Sequence, residues 1–234
     1  MNSQSEILGA VLPRLAMIVA TAVCLLLSWS TSQNARAEDK AVRIVVLGDS
    51  HTAGSGIPTG YRFSDQLEFA LRAKGKSVVV INAGVVHDTA ANGLARLDRA
   101  VPGETQVVIL QLGGTDMLRG TDPNVTRDAL AAILRNLQAR RIATLLCGAR
   151  PHTNFGNEYE KAFAAMFAKL ASEHNVLFYD AFDDAFVDDP QLKALGGLHP
   201  NPAGIKEVVT RILPQVETLV DRVSLGSVEP LVRR

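Results

Sequence analysis

The chain has 234 residues, 24 Lys and Arg against 24 Asp and Glu, and a hydrophobic share of 47%. That length suits one ordinary domain whose core stands without disulfides or metals. A formal net charge of zero argues against nucleic acid or an anionic surface as partner, since either would select a basic balance.

The first segment in chain order reads as a leader. "LAMIVATAVCLLLSW" follows Arg14 and is broken only by Thr21, Cys24 and Ser28, and "ARAED" then sets Ala35 and Ala37 at the small-residue positions of a signal-peptidase site. Residues 1–37 are therefore expected to be a signal peptide cut after Ala37, with 38–234 a single mature domain, periplasmic or secreted. The apolar run is shorter than the roughly 20 residues a spanning helix needs, so no stable membrane insertion is expected once it is gone; an uncleaved anchor is the alternative. Removing it takes away Arg14, Arg36 and Glu6 and leaves a net charge of about minus one. Cys147 becomes the sole cysteine, which forbids an intrachain disulfide. It ends "IATLLC", and a buried thiol is expected there.

Five aliphatic runs follow: "VRIVVLG" (42–48), "SVVVINAG" (77–84), "TQVVILQLG" (105–113), "RIATLLCG" (141–148) and "NVLFYD" (175–180). Nearly continuous apolar runs of this length suit parallel strands buried on both faces. Between them lie helical candidates at 62–75, 89–101, 124–140 and 157–174. The third repeats Val125, Ala129, Ile133 and Leu137, a spacing of four that makes one packed stripe. A last helix begins near Asn201 and carries Ile205, Val208, Val209 and Ile212, with Pro214 placed to kink or divide it. Such βα alternation predicts a three-layer α/β/α sandwich around a mostly parallel five-stranded sheet.

Ligands bind such sheets outside the carboxyl ends of the strands. "GDSHTAGSG" (48–56), "NAGVVHDT" (82–89), "GGTDMLRG" (113–120) and "ARPHTN" (149–154) therefore open onto one edge, where "GLHPN" can return before the last helix. Ser50, just past the first strand, could project its hydroxyl there as a nucleophile, with following amides facing a developing oxyanion. It could equally cap a helix. No Gly-x-Ser-x-Gly elbow and no phosphate-binding glycine loop ending in Gly-Lys-Ser/Thr is present. The five histidines show no metal-ligand spacing, so no metal is expected.

Four blocks carry a family resemblance: "VVLGDSHTAGSGI", "NAGVVHDTAANGLARL", "VVILQLGGTDMLRG" and "LGGLHPNPAGI". From Val42 to about Leu219 the chain resembles the SGNH (GDSL-type) hydrolases, and within them the exported bacterial arylesterase, acyl-thioesterase and lysophospholipase group. The resemblance implies a flavodoxin-like fold and hydrolysis of a small ester or thioester, with no cofactor and a monomer or weak oligomer. It makes Ser50 the nucleophile and His199 the general base. The family's oxyanion hole combines the serine amide with a second-block glycine and a third-block asparagine, positions held here by His87 and Thr115. The family's orienting aspartate, three residues before the histidine, is Gly196, and the usual leucine after the serine is His51.

These departures differ in consequence. His87 keeps the backbone N–H that the glycine supplies, provided its φ/ψ tolerates a Cβ. Thr115 keeps a donor of shorter reach. Gly196 offers only backbone, so a Ser-His dyad with a carbonyl acceptor is expected, or an atypical triad with Asp188 or Asp189 of "FVDDP" as substitute acid. His51, Asp116 and His152 are expected along the substrate cleft. A second reading stands beside the enzyme: a periplasmic binding or interaction protein that reuses the scaffold after losing its triad.

Overall fold

The computed structural model describes residues 41–54, 56–150 and 155–226. The expected leader and His152 lie outside the described residues. Five strands, β1 (Val42–Gly48), β2 (Val78–Gly84), β3 (Val107–Gln111), β4 (Ala143–Cys147) and β5 (Leu177–Tyr179), form one sheet in the order β2-β1-β3-β4-β5. All four pairings are parallel.

Alternation along each strand builds the two cores. Val45 and Leu47 of β1, with Val108 and Leu110 of β3, face one side, and Ile44 and Val46, with Val107 and Ile109, face the other. On the first side the sheet meets α6 (Pro123–Ala139) through Leu130, Ile133, Leu134 and Leu137, and α7 (Asn157–Glu173) through Phe163, Met166, Phe167 and Leu170. On the second it meets α2 (Phe63–Ala73) through Phe63, Leu67 and Leu71, and α8 (Pro202–Ser224) through Ile205, Val208, Ile212 and Val216. Each fully buried aliphatic or aromatic side chain contributes roughly 1.5–3 kcal/mol, and these two apolar layers define the α/β/α sandwich. Cys147 belongs to the second layer, where burial pushes its thiol pKa up and leaves it a packing group.

Local sequence sets the element ends. Asp122 caps α6 by accepting from Asn124 N at 2.8 Å, with Pro123 at the first helical position. The stripe Ala129, Ile133 and Leu137 is buried as expected, together with Thr126, Leu130 and Leu134, whereas Val125 in the first turn is exposed. Pro214 does not divide α8, which runs unbroken with the proline on its exposed face. The candidate helix at 89–101 is split into α3 (Ala90–Ala95) and α4 (Leu97–Ala100) at Arg96. The Arg96 guanidinium turns back to Asp88 Oδ2 at 2.6 Å and to the Gly48 carbonyl at 3.2 Å.

Register brings the site together. Gly48 at the end of β1 pairs with Gly84 of β2 and Gln111 of β3, so three strands finish at one level. Just beyond lies α1 (Ser50–Ala53), in such close contact that a Cβ on Gly84 would stand 2.5 Å from Ala53 N. α5 (Gly114–Leu118) follows β3 at the same edge.

Candidate active site

Ser50 begins α1, and Asp49 before it is the N-cap, its Oδ1 accepting from His51 N at 3.1 Å. The cap is itself fixed. Asp49 N donates to the Gln111 carbonyl at 3.2 Å and to Gln111 Oε1 at 3.3 Å. The N-cap role thus falls to Asp49 and leaves the Ser50 hydroxyl to the cleft, where Oγ accepts from His87 N at 2.9 Å.

His87 has φ +62°, the left-handed region that glycine enters without strain. That conformation directs its N–H at Ser50. On the other side of the residue the His87 carbonyl accepts from Arg119 Nη2 at 3.3 Å. Arg96 holds the Gly48 carbonyl in the same manner, so one arginine secures each of the two turns. Neither arginine was among the expected site residues; the signals were "GLARL" and "MLRG", where a guanidinium follows each motif within reach of a strand end.

Thr115 is buried on α5 and lines the cleft. Its Oγ1 lies 3.5 Å from Asp49 Oδ2, a long donor contact. Asp116 does not open onto the cleft. It is 2% exposed, its Oδ2 accepts from Ala90 N at 2.9 Å and its Oδ1 from Thr126 Oγ1 at 3.3 Å, and burial raises its pKa. Its work is to pin the starts of α3 and α6.

His199 stands exposed at the cleft mouth, on a tight loop closed by Ala194 N donating to the His199 carbonyl at 2.9 Å. Asn201 fastens the base of that loop. Its Oδ1 accepts from Ala203 N and Gly204 N, and its Nδ2 donates to the Gln191 carbonyl at 2.7 Å and the Lys193 carbonyl at 3.2 Å. Partial burial lowers the His199 pKa, His51 and His87 lower it further, and Asp49 opposes them. Among the described residues no hydrogen bond joins the His199 ring to Ser50 Oγ or to a carboxylate.

Gly196 and Gly197 both have positive φ, +98° and +75°, at the loop tip. Asp188 is ion-paired with Arg150, and Asp189 caps the short turn Pro190–Leu192 by accepting from Gln191 N at 2.8 Å. Neither is drawn to His199. Asp183, which the sequence reading passed over in "FDDAF", is 2% exposed, lines the cleft and accepts from Arg150 N at 2.8 Å.

The cleft has a volume of about 240 Å³. Met117, Leu118, Ala149 and Leu198 give it apolar lining beside Ser50, His51, His87 and His199. Among the described residues no cluster of three or more His, Cys, Asp or Glu side chains is placed to hold a metal, and no helix is long and apolar enough to cross a membrane.

A parallel five-stranded sandwich with a serine on the first turn, facing an amide from the second, is the arrangement of an α/β acyl hydrolase. The model of the GDSL-like lipase/acylhydrolase family matches residues 46–206, and the chain belongs to that family of carboxylic ester hydrolases. It is 31% identical over 167 residues to an arylesterase of Vibrio mimicus, covering 71% of this chain and 84% of the relative. It is 32% identical over 182 residues to thioesterase 1/protease 1/lysophospholipase L1 of Escherichia coli strain K12, covering 76% and 85%. Among solved structures, the crystal structure of TesA superposes with a TM-score of 0.72 at 28% identity, over 76% of this chain and 99% of the other. AlinE4, an SGNH-hydrolase family esterase, superposes with a TM-score of 0.64 at 35% identity, over 76% and 96%.

Proposed function

We propose that the protein is a serine esterase that cleaves small carboxylic esters or thioesters through a Ser50–His199 dyad. The observation that carries this reading is the His87 amide, held at φ +62° and aimed at Ser50 Oγ from 2.9 Å. A donor fixed there has its use when negative charge develops beside the nucleophile.

In the resting site that amide holds the hydroxyl. On substrate binding, Oγ turns to His199 Nε2, gives up its proton and attacks the acyl carbonyl, which frees the His87 N–H for the new oxyanion. The Ser50 amide and the Thr115 hydroxyl complete the hole. His199 then returns the proton to the departing alcohol or thiol, and a water activated by the same ring releases the acid. A separation between nucleophile and base that closes in the bound complex is common in unliganded sites. The dyad is favoured over a triad with Asp188 or Asp189 because both carboxylates are engaged elsewhere.

The apolar lining suits an acyl group, and a cleft of about 240 Å³ falls below the roughly 300–1,000 Å³ of sites for drug-sized ligands; short acyl chains fit best. The names of the relatives, arylesterase and thioesterase, support a reading that takes in alcohol and thiol leaving groups alike. The leader read from residues 1–37 assigns this chemistry to the periplasm or the outside of the cell. N-terminal sequencing of the mature protein is expected to start at Glu38, and a chain starting at Met1 would overturn that assignment.

Purified protein is expected to hydrolyse p-nitrophenyl acetate or butyrate, and S50A to abolish turnover. Equal rates for the two proteins would exclude the serine mechanism and leave a binding protein on a hydrolase scaffold.

A further inference from the structure

His51 follows the nucleophile in sequence, and its ring meets the loop that carries the proposed base. Its Nε2 lies 3.1 Å from the Leu198 carbonyl. A carbonyl can only accept, so Nε2 carries the proton. The other nitrogen, Nδ1, stands 3.7 Å from Asp49 Oδ1, beyond hydrogen-bond range but inside the field of the carboxylate. Phe182 and Phe186, both fully buried, back the ring at centroid distances of 6.4 and 5.7 Å. The fourth neighbour is His199 itself, at 5.5 Å. With 14% of its side chain exposed, His51 is the more enclosed of the two histidines.

The loop on the far side of this contact has little of its own to hold it. Leu195, Gly196, Gly197 and Leu198 are exposed, and a Cβ on either glycine would meet nothing within 4 Å. Asn201 anchors the base of the loop, and the Ala194–His199 backbone bond closes it. Beyond these and the ring contact with His199, the hydrogen bond that joins the loop tip to the nucleophile's turn among the described residues is that of His51 with the Leu198 carbonyl. An aspartate at position 196 would hold the base by its ring. A histidine at 51 holds it by the preceding carbonyl.

We propose that His51 is a positioning residue: its Nε2–H tethers the Leu198 carbonyl and its ring abuts His199, so the base is docked against the nucleophile's turn without an orienting carboxylate. The catalytic part of this inference rests on the Ser50–His199 reading; the tether itself does not. Leucine at 51, the usual family residue, cannot donate. Glutamine reaches about as far and can.

The experiment compares wild type, H51L and H51Q in two measurements. Amide hydrogen exchange at Ala194 and Gly197, both bonded within the loop, is expected to be about tenfold faster in H51L, the loss of one hydrogen bond, and to return toward wild type in H51Q. With p-nitrophenyl butyrate, kcat is expected to fall roughly 10- to 100-fold in H51L with KM within about twofold, the pattern of a displaced base, and to recover most of that loss in H51Q. Unchanged loop exchange in a folded H51L would overturn the tether. A kcat that H51Q fails to recover while exchange is restored would overturn its catalytic role. Should wild type itself show no Ser50-dependent turnover, the serine mechanism fails, and the exchange measurement still decides the tether.

Discussion

The backbone N–H of His87 donates to Ser50 Oγ at 2.9 Å across 37 residues of sequence. This contact joins the turn after β1 to the turn after β2, and two arginines hold the turns in place, Arg96 on the Gly48 carbonyl and Arg119 on the His87 carbonyl. In the proposed mechanism His87 works through its backbone N–H, and this separates the part given to the amide from anything its imidazole could do.

The first prediction follows from that separation. H87G retains the amide and relieves the left-handed strain, about 1 kcal/mol, while adding a similar entropic cost in the unfolded chain. Thermal stability is expected to stay within a few degrees and kcat/KM within about threefold. A loss beyond tenfold, measured with p-nitrophenyl butyrate, would make the imidazole the working group.

Thr115 offers the second. Its hydroxyl lies 3.5 Å from Asp49 Oδ2 in the resting site, and in the proposed mechanism a threonine, shorter in reach than asparagine, is the weaker oxyanion donor. Full loss of such a donor costs roughly 10²–10³ in kcat. T115N is expected to raise kcat by about tenfold and T115V to lower it by a smaller factor than that full loss, both read in steady-state kinetics.

The third concerns pH. His199 titrates below the ordinary imidazole range because of partial burial, then the His51 charge. A base with a lowered pKa stays neutral to more acid pH, so the acid limb of kcat/KM is expected below about 6.5. The stability sign is opposite in benefit: between the lowered value and about 6.5 the unfolded chain takes up more protons, so this group makes stability fall as pH drops through that window. A pH–rate profile and urea midpoints over the same range check both.

Restoring the family's acid is expected to fail. Gly196 sits at φ +98°, where any L side chain is strained whatever the open space around it. G196D should therefore lower the melting temperature or rearrange the loop tip, and leave kcat at or below wild type. A tenfold rise would show that the loop adapts to a triad.

The fold was legible because nearly continuous aliphatic runs have one natural use, as buried parallel strands; β1 spans the same residues in sequence and structure. Helix ends were less so. The break falls at Arg96, whose guanidinium reaches Asp88 and, at the end of β1, the Gly48 carbonyl, a partner distant in sequence. Ser50, His87, Thr115 and His199 were readable as motif positions, and the cleft brings them together. Asp116 was expected along the cleft and is not there, because a carboxylate beside a motif looks alike whether it faces substrate or caps a helix; here Ala90 and Thr126 claim it. The partner of His51, a main-chain carbonyl 147 residues away, leaves no mark in side-chain chemistry.

In the proposed mechanism Ser50 is a poised nucleophile served by His199. A fluorophosphonate probe followed by peptide mass spectrometry tests it without knowledge of the natural substrate. One label per chain is expected, on Ser50, lost in S50A and slowed at least tenfold in H199A, the scale of removing a general base. No label on Ser50 in folded wild-type protein, or labelling that H199A leaves untouched, would contradict it.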